Sequence, residues 1–282
     1  MGAAESTVCS PCGDKDAGLS WNLDIIEDDR RPAPPEPPSA FGSVEANAPF
    51  AARSHIDGFV EETVGKQKTV VKLKDGACYE GQTVGGIKHG AGKFTFSNGD
   101  SYEGEWRHGR AHGHGTYMSG HSRYTGQWVD DKKSGHGEEQ WDDGCSYEGL
   151  YAAGGKEGQG VFRWPDGSSY DGQFVANRVE GHGVFRWDDG RQFDGQWVSN
   201  KMEGDGVYTW PDGRRYFGQY AQDKKEGTGL FLWPDGRKYK GSWRNGKQHG
   251  DGVFQEPGKP AMIGRWEDGV RCLWLGPTAP IE

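Results

Sequence analysis

The sequence contains few aliphatic residues and no long apolar run. Only 33% of its 282 residues are hydrophobic, and its mean hydropathy is −0.90. A composition this polar does not support a thick aliphatic core. No segment approaches the roughly 20 consecutive apolar residues that a membrane-spanning helix requires. We therefore expect no such helix.

Cysteine is also scarce. The five cysteines are Cys9, Cys12, Cys78, Cys145 and Cys272. The count is odd, the spacing is sparse and no secretory apolar segment precedes them, so the pattern does not predict a disulfide framework. We expect a reducing, cytosolic setting.

An excess of positive charge is missing as well. Residues 1–65 contain 4 Lys/Arg and 12 Asp/Glu, a net charge of −8. The remaining residues contain 29 positive and 30 negative side chains, a net charge of −1. Because binding to a phosphate backbone requires a basic surface, the sequence excludes nucleic acid as an expected partner.

Aromatic residues and glycine are abundant, and both recur at a fixed period. Each repeat reads aromatic, any residue, Gly, polar, aromatic, a short turn, then Gly-x-Gly. The eight full repeats begin at Tyr79, Tyr102, Tyr124, Tyr147, Tyr170, Phe193, Tyr216 and Tyr239. The starting points are evenly spaced, except that the step from Tyr102 to Tyr124 is one residue shorter. A partial ninth copy begins at Met262. Such a period predicts stacked units and disfavours an enzyme, since catalytic residues need unique positions.

The period also predicts the geometry of each unit. If the first aromatic is position 1, then positions 1, 3 and 5 share one face of a strand, and positions 12, 14, 16 and 18 share one face of the next. All aromatics and glycines then lie on one face, where the glycines leave gaps for rings. Pro-Asp-Gly at positions 19–21 predicts one turn, and positions 7–10 predict the other.

The predicted fold is therefore all-β: an elongated, single-layer, twisted antiparallel sheet of tandem β-hairpins. We assign residues 1–65 to an acidic, Pro-rich, mostly disordered arm, in which Leu19, Leu23 and Ile26 also have the spacing of a short helix. Residues 66–270 form the repeat domain, and 66–76 resemble the second half of an incomplete first unit. Residues 271–282 form a C-terminal tail.

The unit Tyr102-Glu103-Gly104-Glu105-Trp106 followed by His112-Gly113-His114-Gly115 resembles the MORN (membrane occupation and recognition nexus) repeat. The resemblance covers nearly three quarters of the chain. It implies an elongated hairpin sheet that acts as a scaffold at membranes, the cell cortex or the cytoskeleton, with protein partners and, in some members, a homodimer. It also implies lipid binding, although the domain lacks net positive charge.

The beginning of the chain fits a lipidation signal. Met1-Gly2-Ala3-Ala4-Glu5-Ser6 matches the myristoylation pattern, with Gly2 as the acceptor after removal of methionine. One myristoyl chain binds membranes only marginally, and a palmitoyl group on Cys9, Cys12 or both would supply the second signal. The alternative, a redox or zinc pair at Cys9 and Cys12, lacks a second cysteine pair.

Two sets of repeat residues are further candidate sites. The first set would line an aromatic trough: Trp106, Trp128, Trp164, Trp187, Trp197, Trp210, Trp233 and Trp243. The second set occupies position 15 on the opposite face, where five apolar residues form a stripe along the C-terminal half. This stripe consists of Val161, Val184, Val207, Leu230 and Val253. Its residues are interpreted either as ordinary β-branched side chains of a sheet or as a docking surface.

No catalytic residue, metal site or cofactor is predicted. The histidines between the paired glycines lie about two strand spacings apart, roughly 10 Å, whereas zinc requires ligands about 2 Å from one centre. The Gly-x-Gly pairs lie within strands and lack the following helix of a phosphate-binding loop.

We therefore predict a non-enzymatic, lipid-anchored scaffold on the cytoplasmic face of the plasma membrane or cell cortex. Its acyl chains would bind the membrane and its repeats would bind proteins. One alternative is a module whose aromatic trough binds phospholipid or peptide directly. Another is a regulatory subunit of a separate lipid kinase.

Overall fold

The computed structural model describes residues 59–64 and 68–282, with side chains from residue 69 onward. Gly2, Cys9 and Cys12, together with nearly all of the predicted arm, lie outside the described residues. The described part of the chain contains twenty β-strands and no helix.

The strands follow the period of the repeat, so each full repeat contributes one long hairpin. In chain order they are β1 Phe59–Val64, β2 Lys68–Lys72, β3 Cys78–Val84, β4 Ile87–Thr95, β5 Ser101–Arg107, β6 Arg110–Met118, β7 Ser122–Val129, β8 Lys132–Trp141, β9 Ser146–Ala152, β10 Gly155–Arg163, β11 Ser169–Val175, β12 Arg178–Arg186, β13 Gln192–Val198, β14 Lys201–Thr209, β15 Arg215–Ala221, β16 Lys224–Leu232, β17 Lys238–Arg244, β18 Lys247–Gln255, β19 Ala261–Glu267 and β20 Val270–Thr278.

Each strand pairs in antiparallel fashion with the strand before it and the strand after it, so the chain forms one continuous meander. This confirms the predicted all-β, single-layer antiparallel sheet. The sheet extends past both boundaries expected from the sequence. It begins with β1 at Phe59, before residue 66, and β20 includes most of the expected tail.

The turn at one edge of the sheet is shorter than the sequence suggested. In repeat five Val175 pairs with Arg178, so only Ala176 and Asn177, at positions 7 and 8, form the loop. Both have positive φ, 48° and 68°, which is the backbone of the two-residue turns that match strand twist. The expected turn at positions 7–10 was wrong because positions 9 and 10 already belong to the next strand.

The Pro-Asp-Gly turns at the other edge form as predicted. Gly167 has a φ of 95°, and the Asp166 carboxylate accepts a hydrogen bond of 2.8 Å from the Ser168 backbone N–H. The same aspartate contact closes the turns at Asp212 and Asp235, at 3.0 Å each. Because the aspartate carboxylate accepts a hydrogen bond from a backbone N–H of its own turn, this connection is largely independent of tertiary packing.

The ring at position 1 fills the space that paired glycines leave open. In repeat five Gly172 and Gly183 face each other across β11 and β12, and the ring of Tyr170 lies over both. A Cβ added to Gly183 would lie 2.6 Å from ring carbon Cε2 of Tyr170. The tyrosine hydroxyl reaches past the glycines and donates to the backbone carbonyl of Gln173, 3.1 Å away. Seven of the eight repeats make this hydrogen bond, since repeat six begins with Phe193 instead of tyrosine.

Rings also connect one repeat to the next. Tyr102 makes edge-to-face contacts with Trp106 of its own repeat, at 5.0 Å between centroids, and with Trp128 of the next, at 5.2 Å. Edge-to-face packing at this distance is the favourable arrangement for aromatic pairs. The pattern continues along the sheet, so the core is a row of interlocked rings rather than a layer of aliphatic side chains.

The glycine at position 12 serves a different purpose from the one expected. Gly181 has a φ of 65°, and a Cβ there would collide with the side-chain amide of Gln173 on the opposite face. Pairing is interrupted between Gly172 and Gln173, so Gly181 and His182 form a bulge. Position 12 is therefore glycine because of its left-handed backbone, and the expectation that it makes room for rings was wrong.

We expect Gly183→Ala to destabilise the sheet by about 1–3 kcal/mol or more, because the new methyl group overlaps the Tyr170 ring. Gly120→Ala is the matched control, since nothing lies within 4 Å of a Cβ at that position. Thermal unfolding followed by tryptophan fluorescence should show a lower midpoint for Gly183→Ala only. Equal midpoints for the two variants would contradict ring-over-glycine packing.

Candidate functional site

The predicted trough tryptophans form the core of the sheet rather than an open lining. Six of the eight are buried: Trp106, Trp128, Trp164, Trp197, Trp210 and Trp243. Trp187 and Trp233 are partly exposed. Four indole N–H groups donate to the carbonyl of the position 14 glycine in the preceding repeat, as in Trp197 to Gly183 at 3.0 Å. These rings and their polar atoms are therefore largely satisfied within the protein.

Arginines at position 22 line one rim of this aromatic face. The guanidinium of Arg191 lies 5.1 Å from the centroid of Trp187, and that of Arg237 lies 5.3 Å from Trp233. Each arginine also pairs with the aspartate of its own turn, at 2.8 and 2.7 Å. Arg191 is buried, with 6% of its surface exposed, whereas Arg237 is partly exposed. Of these two cations, Arg237 beside Trp233 is the one that an anionic group can reach.

Four lysines lie on the aromatic face, and sequence reasoning missed them. Lys88, Lys156 and Lys225 are buried and Lys133 is partly so. All four occupy position 10, which pairs with position 5 of the preceding strand and therefore shares the inner face with it. The Lys88 ammonium lies 4.0 Å from the Trp106 ring, and rings surround the others at 4.8 to 5.7 Å. Cation–π attraction replaces part of the lost hydration.

A buried carboxylate interrupts the ring row in repeat three. Glu139 occupies position 16, where every other repeat has Phe or Tyr. Its carboxylate forms an ion pair with Lys133 and accepts a 2.9 Å hydrogen bond from the Tyr151 hydroxyl. Because a buried charge is costly unless paired, Glu139 depends on these two partners.

Lys156 lies close to this cluster and is almost completely buried, with 2% of its surface exposed. Burial lowers the pKa of its ammonium from 10.5 to about 8, and the positive charge of Lys133 adds to the effect. The carboxylate of Glu139 opposes the shift. Burial likewise raises the pKa of the nearby Cys145 thiol to about 11, so that thiol stays protonated and unreactive at neutral pH.

The five apolar side chains at position 15 lie on the outer face, opposite the rings, and all of them are partly exposed. They do not touch in an unbroken line, because side chains at position 2 of the intervening strands alternate with them. Asp194 separates Val184 from Val207, whereas Phe217 joins Val207 to Leu230. Phe217 is 36% exposed and was missed by sequence reasoning, although an apolar residue at position 2 was visible. We define the outer stripe as Val161, Val184, Val207, Phe217, Leu230 and Val253.

Within the described residues, no group of three or more His, Cys, Asp or Glu side chains could hold a metal ion. His182 instead lies 3.3 Å from Asp194 on the outer face. No helix in that part of the chain is long and apolar enough to span a bilayer.

Comparison with known proteins identifies the repeat. The MORN repeat matches residues 79–101, 102–120, 124–146, 147–169, 170–190, 193–214, 216–236 and 239–255. The chain belongs to the MORN repeat family. MORN repeats are generally non-catalytic and serve in protein or membrane interaction.

Among curated MORN-containing relatives, Alsin of Mus musculus is 30% identical over 115 residues, which cover 39% of this chain and 6% of Alsin. MORN repeat-containing protein 3 of Xenopus laevis is 35% identical over 71 residues, covering 22% of this chain and 30% of that protein. The chain therefore matches less than a third of the length of each of these two relatives. The solved TCP10 domain of Danio rerio CPAP aligns over 75% of this chain and 99% of the domain, with 13% identity and a TM-score of 0.43.

We expect Lys156→Met to stabilise the MORN sheet most at neutral pH. Between pH 8 and 10.5 the unfolded chain keeps the Lys156 proton that the folded chain has released, so wild-type stability rises with pH in this window. The advantage of the methionine variant should shrink accordingly. Urea unfolding midpoints from pH 7 to 10 measure this, with exposed Lys132→Met as the control. A pH-independent difference would contradict a lowered Lys156 pKa.

Proposed function

We propose that this chain is a non-enzymatic scaffold that is held by acyl chains at the cytoplasmic face of the plasma membrane or cell cortex. Its MORN repeats bind proteins. The burial of the inner rings supports the second part of this proposal. Because those rings pack against one another, a partner finds most of its accessible surface on the outer face and at the ends of the sheet.

The anchoring part of the proposal rests on the sequence of the first residues. Gly2 stands in a myristoylation pattern, and Cys9 and Cys12 follow it closely. A polybasic patch cannot supply the second signal, since Lys15 is the single basic residue among residues 1–20. Palmitoylation of Cys9, Cys12 or both provides the second acyl chain that stable anchoring needs.

We expect Gly2→Ala to abolish labelling by a myristate analogue and to move the protein from the membrane to the soluble fraction in cells. Cys9→Ser combined with Cys12→Ser should keep the myristate label but weaken membrane retention, because one acyl chain remains. Cys78→Ser is the control and should change neither readout. Persistent membrane binding of Gly2→Ala would reject the anchor.

A second candidate function is direct contact of the repeats with phospholipid or an anionic peptide. The partly exposed Trp233 beside the partly exposed Arg237 favours it. Protein carrying Gly2→Ala, Cys9→Ser and Cys12→Ser has no acyl acceptor among these residues and distinguishes the two functions. Salt-sensitive pelleting of this variant with anionic liposomes would support direct contact, whereas its absence leaves the acyl anchor as the route to the membrane.

The outer stripe is the protein-docking surface in this proposal, and a second copy is one occupant. We expect Val184→Glu combined with Val207→Glu to lower the mass of assemblies in solution, because the new charges would have to be desolvated in an apolar contact. Val198→Glu is the control, since Val198 is 46% exposed but lies outside the stripe. Sedimentation velocity measures the mass, and an unchanged mass would reject the stripe as a self-association surface.

A further inference from the structure

The C-terminal strand of the sheet exposes an apolar edge. Among the described residues, β20 pairs with β19 alone, so one row of its backbone groups lacks a neighbouring strand. Four large apolar side chains of β20 are exposed, with exposed fractions of 60% for Val270, 44% for Leu273, 38% for Trp274 and 55% for Leu275. Exposed edges of soluble proteins are usually protected by charge or covered, because they accept further strands.

The described residues that follow β20 do not cover this edge. They turn back toward repeat eight, where the Ile281 backbone N–H donates to the Gln255 side chain at 2.9 Å and its carbonyl accepts from Lys238 at 3.0 Å. Ile281 is buried there. Ile281 is therefore held against β17 and β18, and the described residues do not pair with the outer edge of β20.

Among the described residues, Trp274 is the last ring along the inner face at this end of the sheet. Its ring lies 6.0 Å from Trp266 and 6.4 Å from Phe254, and the Arg271 guanidinium covers it at 4.3 Å. Within the sheet a ring has aromatic neighbours on both sides. An added strand with an aromatic residue on its inner face would give Trp274 the neighbour that it lacks.

The shape of this edge favours a flexible segment over another rigid sheet. Two irregularities interrupt the pairing of β20 with β19, each with an extra residue in β20. Bulges of this kind twist an edge away from edge-to-edge pairing of two preformed sheets. A single added strand, in contrast, can shift its register to fit these bulges.

One segment outside the described residues has the required pattern. Residues 19–25 read Leu-Ser-Trp-Asn-Leu-Asp-Ile, which alternates apolar and polar side chains without a break. Such alternation over seven residues is typical of a half-buried strand. Its apolar face carries Leu19, Trp21, Leu23 and Ile25, so Trp21 is the aromatic residue that could stack on Trp274. The segment contains one acid, Asp24, and β20 contains one base, Arg271.

We propose that residues 19–25 of one copy add as a strand to β20 of a second copy. Docking within one chain is disfavoured by distance. Nineteen strand spacings separate β1 from β20, about 91 Å along the sheet. The 33 residues between the segment and β1 reach about 110 Å only when fully extended, so a contact within one chain would require nearly the whole stretch to be extended.

Strand addition between copies is a head-to-tail contact. The donor segment and the acceptor edge are different surfaces of the molecule, so each copy can engage two others and assembly does not stop at a dimer. Backbone hydrogen bonds along β20 would supply affinity, and alternate side chains would supply specificity. This inference uses neither the acyl anchor nor the outer stripe.

The test uses full-length chain carrying Gly2→Ala, Cys9→Ser and Cys12→Ser, so that acyl chains do not contribute to association. The donor variant is Trp21→Asp with Leu23→Asp, and the acceptor variant is Trp274→Lys, which removes the inner-face ring of β20. Sedimentation velocity should show a mass for the parent that rises with concentration. Each variant should need more than about 10-fold higher concentration for half assembly, because buried aromatic and apolar anchors carry most of such binding energy.

Mixing the donor variant with the acceptor variant gives the decisive measurement. The donor variant keeps an intact β20 and the acceptor variant keeps an intact segment, so the mixture should form one junction and stop at a dimer of two 31.0 kDa chains. Controls are Asn22→Ala, on the polar face of the segment, and Val198→Lys, in the centrally placed β13; neither should change the parent's assembly. Circular dichroism checks that each variant keeps the sheet.

Three results would overturn the proposal. A monomeric parent at all concentrations excludes the contact. Loss of assembly in the acceptor variant alone, with the donor variant unaffected, assigns the edge to pairing of two β20 strands. Failure of the mixture to form dimers shows that the segment and the edge do not bind each other. The outer-stripe variants Val184→Glu and Val207→Glu leave both β20 and residues 19–25 unchanged. Their effect on assembly is therefore distinguishable from each of these three results.

Discussion

The structure depends on one contact, in which an aromatic ring lies flat over two glycines that face each other on paired strands. The contact is possible because neither glycine has a Cβ, and the tyrosine hydroxyl then reaches a backbone carbonyl beyond them. It is repeated from hairpin to hairpin, and edge-to-face contacts link each ring to the next repeat. A single sheet layer thereby buries aromatic side chains without a second layer to cover them.

This mode of packing explains how a polar sequence can fold. The core contains rings and the aliphatic stems of lysines instead of a mass of leucine and valine. Lysines at position 10 fit because a ring face attracts their ammonium groups. Glu139 fits because Lys133 and Tyr151 satisfy it. The repeats are therefore not equivalent in chemistry, although their backbones are. Glu139 of the third repeat lies in a charged cluster with Lys133, close to Lys156 of the fourth, whereas the other seven repeats have Phe or Tyr at position 16.

Because this packing buries most of the inner rings, partners can bind only the surfaces that stay exposed. With most inner tryptophans buried, the accessible features are the rim of tryptophan and arginine, the outer stripe and the open edge at β20. They lie on different sides of one sheet, which suits a platform that contacts several partners. A membrane anchor at Gly2, if combined with strand addition at β20, would assemble such platforms on a surface.

The amino-acid sequence alone determined the repeat, the hairpins and the face that carries the rings, because a fixed period and the alternation of side chains in a strand leave little choice. Only the tertiary structure decided what depends on register and backbone conformation. Gly181 proved to be a left-handed bulge, position 10 proved to be buried beneath the rings, and Asp194 proved to interrupt the stripe. These outcomes follow from which strands become neighbours and where their pairing slips, and a one-dimensional pattern does not specify either.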